Sequence, residues 1–577
     1  MQHRSVIALT SAIVGSSLIL AGCGAAGGSA ATAKSPVGNV ALVALPAQVS
    51  PNWFFPIQSS TAFSVYDSQM NSLMYVPLLH VSKTDGINYH RSLASNVSVN
   101  SNGTVYTITL HKKWHWSNGK PVTSRDVVWT AKLLLATSSG SSSLPWGYGG
   151  AGIGGLPTRW QSVKADGPYK VIVTLNKPSN RQWFIHNGLA QIVPVPKSVW
   201  DIHKNMNNEL RFIKAEANNP GAKYYNVVDG AFKFDAAQSK TNNQYWAFVP
   251  NSAYDGHKAS IKKVVYVYES SNSSEFGALK GNKINVGYLP FSLYNSRAQL
   301  TGDRFSTTYA FGFNYLVVNF SHQAPGNFGK IIGSQYVRKA LEMGINQKGM
   351  VNTFYHGHGV TGFSPIPAKP QTQFFDAGLK NPALYNPAAG KKLLLQHGWT
   401  MHHGVMTKGN LKLSFTLDYA SGVTAVTNQV QLIKQDLAKE GVQVHLESQP
   451  FDTLIANTNQ SNAKKWQVVW WGGGWTYQPD FYPTGGGLFA KGSAANYGGY
   501  HSRTMDSLIQ STYEPGSATQ IRSRMNRYLG YAASQFPVLW MPWTPTFNET
   551  ANYIHGVNSS YNPITFMQYP NYWTVHQ

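Results

Sequence analysis

The sequence predicts an α/β protein of at least two lobes. At 577 residues the chain is too long for one compact core, and its 42% apolar content is ample for burying several. Segments with the period of strands alternate along it with segments that read as helices. The clearest is Val105–Leu133. Val105-Tyr106-Thr107-Ile108-Thr109-Leu110 alternates as a half-buried strand. Ser117-Asn118-Gly119-Lys120-Pro121 supplies a tight turn that forbids an immediate helix. Thr123 and Ser124 are N-cap residues, Asp126 favours the positive end of a helix dipole, and Val127, Val128, Trp129 and Leu133 give the helix an apolar face.

From the beginning of the chain, Arg4 opens a short positive region and Val6–Leu20 is an apolar run too short for a stable transmembrane helix. It ends Leu20-Ala21-Gly22-Cys23, which resembles a bacterial lipoprotein signal: cleavage before Cys23, then lipidation of that residue. Residues 1–22 are thus expected to be a signal peptide. Residues 23–38, rich in Gly, Ala, Ser and Thr, are expected to be a flexible tether. Asn39–Leu45 reads as a first strand, and Ala62–Tyr75 as a loose helix that Pro77 ends. Ser138–Gly155 is a Ser/Gly loop. It contains a formal GxGxxG, Gly147 to Gly152, but no strand precedes it and Leu156-Pro157 follows where a helix should open, which excludes a dinucleotide site. Val163–Leu175 reads as two strands about a turn, and Phe313–Asn319 as a buried strand. Val337, Leu341 and Ile345 share one helical face. Leu411–Leu417 and Val442–Leu446 read as strands flanking an amphipathic helix, and Trp466–Trp475 as a strand running into a Gly/Trp loop.

Charge narrows the function. The net charge is +23, yet it arises from scarce Asp and Glu (24) against 47 scattered Lys and Arg. No basic stripe for nucleic acid follows from that distribution, and nucleic acid is not an expected partner. Scarce carboxylates suit an acidic exterior, where they would protonate. Cys23 is the one cysteine, so a disulfide, a cysteine metal cluster and thiol catalysis are not expected. GxSxG, HExxH and GxxxxGK[ST] motifs are missing, which argues against an enzyme. The pairs His356/His358 and His402/His403 lack nearby carboxylates, so no metal or cofactor is expected.

The order of residues in Val105–Leu133 is similar to the signature of the family 5 extracellular solute-binding proteins. Tyr106, Thr107, Leu110, Ser117, Gly119, Pro121, Thr123, Asp126 and Val127 match it, while Asn118 and Lys113 depart from it. Weaker matches follow in family order to Phe536-Pro537-Val538-Leu539-Trp540. The resemblance implies a two-lobed fold of the type II periplasmic-binding-protein kind (large cluster C), with an extra subdomain in lobe I and a hinge between lobes. Lobe I is expected over 39–300 with the inserted subdomain at about 60–180, lobe II over 301–545, and a return to lobe I over 546–577. It also implies a monomeric lipoprotein on the outer face of the cytoplasmic membrane. Such a protein captures a ligand by hinge closure and delivers it to the permease and ATPase subunits of an ABC importer. The default ligand is an oligopeptide. Alternatives are an oligosaccharide, then nickel in a chelate, or a sensory lipoprotein without transport.

Cleft ligands need aromatic walls and a few placed polar groups. The richest candidate is Trp470-Trp471-Gly472-Gly473-Gly474-Trp475-Thr476-Tyr477, similar to the family segment that lines the cleft. In peptide binders an Asp of that segment pairs with the ligand's ammonium. Here Trp475 stands at that place, and Asp480 is displaced by two positions. Trp53, Phe54, Phe55, Asn314, Tyr315 and Trp540 are further candidates carried over by position.

Overall fold

The computed structural model describes residues 34–240, 245–493 and 495–576. The expected signal peptide, Cys23 and most of the expected tether lie outside the described residues.

Two sheets organise the chain. The first has seven strands in the order Asp303–Thr308, Thr546–Ala551, Val286–Tyr288, Val40–Ala44, Lys263–Val267, Tyr245–Pro250 and Phe232–Phe234. Its centre is parallel: Val40–Ala44 pairs in register with Lys263–Val267 on one side and meets Val286 on the other. Ala41 and Val43 face the main core, while Val40 and Leu42 pack with Ala247, Val265 and Val267 on the opposite face. Covered on both faces, these strands read as apolar runs. The second sheet runs Gln443–Gln449, Ser414–Ala420, Val468–Trp470, Gly312–Val318 and Gly474–Thr476, with Leu539–Met541 also paired to Gly312–Val318. Ser414–Ala420 is parallel to both of its neighbours. Gly312–Val318 is buried at every position and takes three antiparallel partners.

The chain passes between the sheets twice, through residues 309–311 and back through 542–545. Trp543 Nε1 donates to Ala310 O at 2.8 Å, tying one crossing to the other. This corrects the expected boundary at 300/301. Asp303–Thr308 pairs residue for residue with Thr546–Ala551 and so stays in the first sheet.

Between Val40–Ala44 and Phe232–Phe234 no strand joins the seven-stranded sheet. A four-stranded antiparallel sheet, Ala94–Val99, Val105–Leu110, Lys170–Leu175 and Trp160–Ala165, forms there, with the helix Ser124–Thr137 lying in the chain between Val105–Leu110 and Trp160–Ala165. The signature positions hold this insert together. Thr123 caps the helix in a capping box with Asp126, whose other oxygen accepts from Lys197 N at 2.9 Å. Gly119 has φ 81°, as the turn requires. Ser117 Oγ donates to Asn226 O, Tyr106 is buried against Phe184, and Pro121 bridges to His115.

Carboxyl groups are few, and many are buried. Nine of them, on Asp85, Glu209, Asp229, Glu275, Asp303, Asp436, Glu440, Asp480 and Glu549, keep a buried oxygen without a hydrogen-bond partner. Burial pushes Glu440 up to about 9 and Glu275 up to about 8, and Asp67, Asp480 and Glu549 up to about 7. A carboxyl raised in this way holds its proton more tightly folded than unfolded. Its stabilisation is complete below the unfolded values of 3.8 and 4.5, and is lost as pH climbs through 7 to 9. The melting temperature is therefore expected to be highest in mild acid and to fall steadily toward pH 9 in a thermal scan across buffers. A maximum near neutrality with loss of fold in mild acid would contradict it. Glu440→Gln is expected to flatten the alkaline end of that profile.

Candidate functional site

In open α/β sheets, ligands sit beyond the carboxyl ends of the strands. Here those ends from both lobes converge. Residues 45–48 leave Val40–Ala44, residues 270–273 follow Lys263–Val267, residues 289–292 follow Val286–Tyr288, and residues 421–425 leave Ser414–Ala420. Together they line a cleft of about 620 Å³ between the lobes. The return crossing contributes residues 545–548, and the C-terminal segment 561–568 forms a further wall.

Two helices begin at this cleft, one from each lobe. Asn272–Lys280 is capped by Ser271, whose Oγ accepts from Ser274 N at 3.0 Å. Thr424–Ala438 starts after Val423 with no side-chain cap. Their first-turn N–H groups and dipoles give the cleft a mild preference for lone pairs.

Aromatic rings shape the wall. Phe566 lines the cleft with φ 63°, a strained conformation for a bulky residue. Its ring meets Tyr66 and Tyr561 edge-on at 6.3 and 6.2 Å. Tyr288 OH accepts from Ala47 N at 3.0 Å and donates to Asn272 Oδ1 at 3.1 Å, which fixes it across two of the strand ends. Gln69 exchanges both of its amide hydrogen bonds with the backbone of Gln568, at 2.9 and 2.7 Å. These side chains are held in place before any ligand arrives.

The helix Val65–Met74 separates this cleft from a second, smaller cavity of about 140 Å³. Tyr66 and Gln69 face the first, Ser68, Asn71 and Ser72 the second. Gln478, Pro479 and Phe481 of the second lobe close the smaller one. Among its lining residues Asn71 Oδ1, Gln478 Oε1 and Thr565 Oγ1 are buried without a partner. No Asp, Glu, Lys or Arg lines either cavity. The one imidazole, His80 in the smaller cavity, is pushed down to about 3 by burial and by Arg91, and stays neutral.

A buried polar latch joins the insert to the second lobe. Asn187 Nδ2 donates to Asp480 Oδ1 at 2.5 Å and to Tyr482 O at 2.9 Å, and its Oδ1 accepts from Tyr482 N at 2.6 Å. Asn180 Nδ2 donates to Tyr482 OH and Thr512 O, and Trp183 stacks on Tyr513 at 4.4 Å.

None of the ten ligand candidates lines either cavity. Trp53 donates Nε1 to Ile57 O, Phe54 meets Phe234, and Phe55 packs on Trp200, all inside the first lobe. Asn314 Oδ1 accepts from Trp470 Nε1 at 3.1 Å, and Tyr477 OH donates to Pro365 O at 2.8 Å. Tyr315 and Trp540 are buried around Phe313. Trp471 and Trp475 are half-buried, Trp471 edge-on to Tyr315 and Tyr497. Trp475 Nε1 is buried without a partner. Gly474 beside them has a packing cause. A Cβ on Gly474 would lie 2.0 Å from Phe313 O, so glycine is what lets Gly474–Thr476 pair with the central strand. Tyr66, Tyr288, Phe291, Tyr561 and Phe566 were not singled out from sequence. Tyr288 and Phe291 sit at a strand end and are findable by that rule; Tyr66, at the start of a helix, Tyr561, at the end of one, and Phe566 carry no such signal. His356 stacks on Tyr294 at 3.9 Å and His402 and His403 are exposed; no cluster of three metal-ligating side chains occurs among the described residues.

The family model described as bacterial extracellular solute-binding proteins, family 5 Middle, matches residues 88–495. The chain is 22% identical to the oligopeptide-binding protein AppA of Bacillus subtilis over 474 residues, covering 80% of this chain and 79% of that one. It is 25% identical to the dipeptide-binding protein of Lactococcus lactis subsp. cremoris over 441 residues, covering 73% and 74%. Among solved structures, AppA from Bacillus subtilis in complex with a nonapeptide superposes with a TM-score of 0.75 at 19% identity, over 93% of this chain and 99% of that one. NikZ from Campylobacter jejuni in complex with Ni(L-His) superposes with a TM-score of 0.72 at 16% identity, over 93% and 99%.

Asn187→Ala is expected to destabilise the protein by on the order of 3 kcal/mol in denaturant unfolding, because Asp480 Oδ1 and Tyr482 N lose their buried partner. A change below ~0.5 kcal/mol would show that the latch does not hold the lobes.

Proposed function

The chain belongs to the family 5 bacterial extracellular solute-binding proteins, and we propose that it is the substrate-binding component of an ABC importer. As a member of that family it is a binding protein and not an enzyme. A monomer captures a solute in the cleft between its lobes. The two crossings bend, the lobes close, and the closed form docks on the permease, whose ATPase partners drive release. Cys23 carries the lipid that keeps the receptor on the outer face of the cytoplasmic membrane. The observation that carries this reading is the cleft itself. Strand ends from both lobes, two helix starts and the return crossing meet around about 620 Å³, a volume suited to a small organic ligand.

Peptides are the cargo that the names of AppA and the dipeptide-binding protein favour. The uncharged lining of the cleft favours a second reading, an oligosaccharide.

Native mass spectrometry of the purified protein, followed by denaturation, is expected to release a bound small molecule. Adding that molecule back is expected to raise the melting temperature and shrink the radius of gyration in solution scattering. A ligand that binds with no change in either would count against hinge closure. Cys23→Ser is expected to move the protein from the membrane fraction to the medium or periplasm. Retention in the membrane would contradict a lipid at Cys23.

A further inference from the structure

We infer that the occupant of the cleft is a short, uncharged oligosaccharide, recognised by aromatic rings and neutral hydrogen-bonding groups alone. The inference rests on the reading of the cleft as the solute site. It starts from an anomaly of charge: in a chain of net charge +23, neither inter-lobe cavity is lined by a single Asp, Glu, Lys or Arg.

A linear peptide carries an ammonium at one end and a carboxylate at the other. Enclosing either without a counter-charge or a full set of hydrogen bonds costs several kcal/mol. The acids beside the cavities each spend one oxygen on the protein, and the second oxygens of Glu275 and Asp480 stay buried and unpartnered without lining either cavity. Asp67 accepts from the amides of Asn52 and Trp53, Glu275 accepts from Tyr288 N, and Asp480 accepts from Asn187. None lines a cavity, so no carboxylate receives an ammonium. The same lining offers no ligand set for a bare metal cation.

What the cleft does present suits a sugar. Tyr66, Tyr266, Tyr288, Phe291, Tyr561 and Phe566 supply rings on which the apolar C–H faces of a pyranose rest. Gln48, Asn272, Ser292, Thr308, Thr424 and Asn548 supply neutral donors and acceptors. Hydroxyl groups both donate and accept, so they satisfy side-chain amides and the free N–H groups at the uncapped start of Thr424–Ala438 alike. The strain held at Phe566, φ 63°, places one ring of that wall and is the kind of local cost that persists at ligand clamps. The neighbouring cavity adds unpartnered Asn71 Oδ1, Gln478 Oε1 and Thr565 Oγ1, again neutral.

The test is calorimetric titration of the purified protein with two panels. One contains neutral cello-, malto- and xylo-oligosaccharides, the other tri- to nonapeptides with free termini. Phe566→Ala and Thr424→Trp are compared with the parent chain, the latter adding bulk at the exposed first position of the helix Thr424–Ala438 and so sparing the core. At least one oligosaccharide series is expected to bind and the peptides to fail. Phe566→Ala should weaken binding about tenfold, and Thr424→Trp should abolish it at unchanged melting temperature. Peptides binding in place of sugars, with Thr424→Trp still blocking them, would overturn the sugar and leave the cleft as the solute site. Silence of the whole neutral panel would overturn the sugar as well. Binding of either class that ignores both substitutions would overturn the cleft itself.

Discussion

The strand Gly312–Val318 is the constraint on which the rest depends. It is buried along its whole length and hydrogen-bonds to Gly474–Thr476, Val468–Trp470 and Leu539–Met541. Its first residue lies one short step from the first sheet, and its partner Leu539–Met541 leads straight back to that sheet. Both crossings between lobes are therefore anchored to one pleated surface at one end and to the paired strands Asp303–Thr308 and Thr546–Ala551 at the other. With three and four residues to bridge the gap, and Trp543 bonded to Ala310, relative motion is channelled into a narrow hinge. The cleft opens beside it, with 421–425 of the second lobe and 45–48 and 289–292 of the first among its walls.

Scarcity of acid shapes the molecule beyond its surface. With carboxyl groups so few, one would expect them all in water, yet nine keep a buried oxygen unpartnered. Burial favours the neutral acid at Glu440 and Glu275, a hydrogen-bonding group of modest size that is tolerable there, whereas Asp303, Asp436 and Glu549 face Lys34, Lys439 and Arg297. Basic composition, buried acids such as Glu440 and Glu275 whose burial favours the proton, and a cleft without Asp, Glu, Lys or Arg go together.

The fold was legible because local signals agreed with one another. Asn118-Gly119 and Thr123 with Asp126 announced a turn and a capped helix, and the structure forms both. The buried run around Phe313–Asn319 announced the central strand. The cleft was less legible. The run Trp470–Trp475 looks like a ligand platform because glycine beside tryptophan admits close approach, but the partner that approaches is the backbone of Phe313 and Asn314. Aromatic density alone does not separate a wall from a core. Phe566 is the reverse case. Nothing around it in sequence distinguishes it, since its role comes from a left-handed backbone and from Tyr66, which lies five hundred residues away in the chain. Sites assembled from the ends of distant strands are written in topology, and a linear pattern captures only their pieces.

A cleft without Asp, Glu, Lys or Arg has a kinetic side. Charged receptors gather oppositely charged ligands from a distance and can exceed the encounter rates of neutral pairs by orders of magnitude, an advantage that salt removes. Here the walls offer little for dissolved ions to screen, and a neutral solute feels no long-range pull. Capture then depends on how often the solute meets an open cleft and how long the closed lobes keep it. For the neutral solute proposed above, selectivity would reside in dwell time, through the fit of rings and amides, rather than in the speed of arrival.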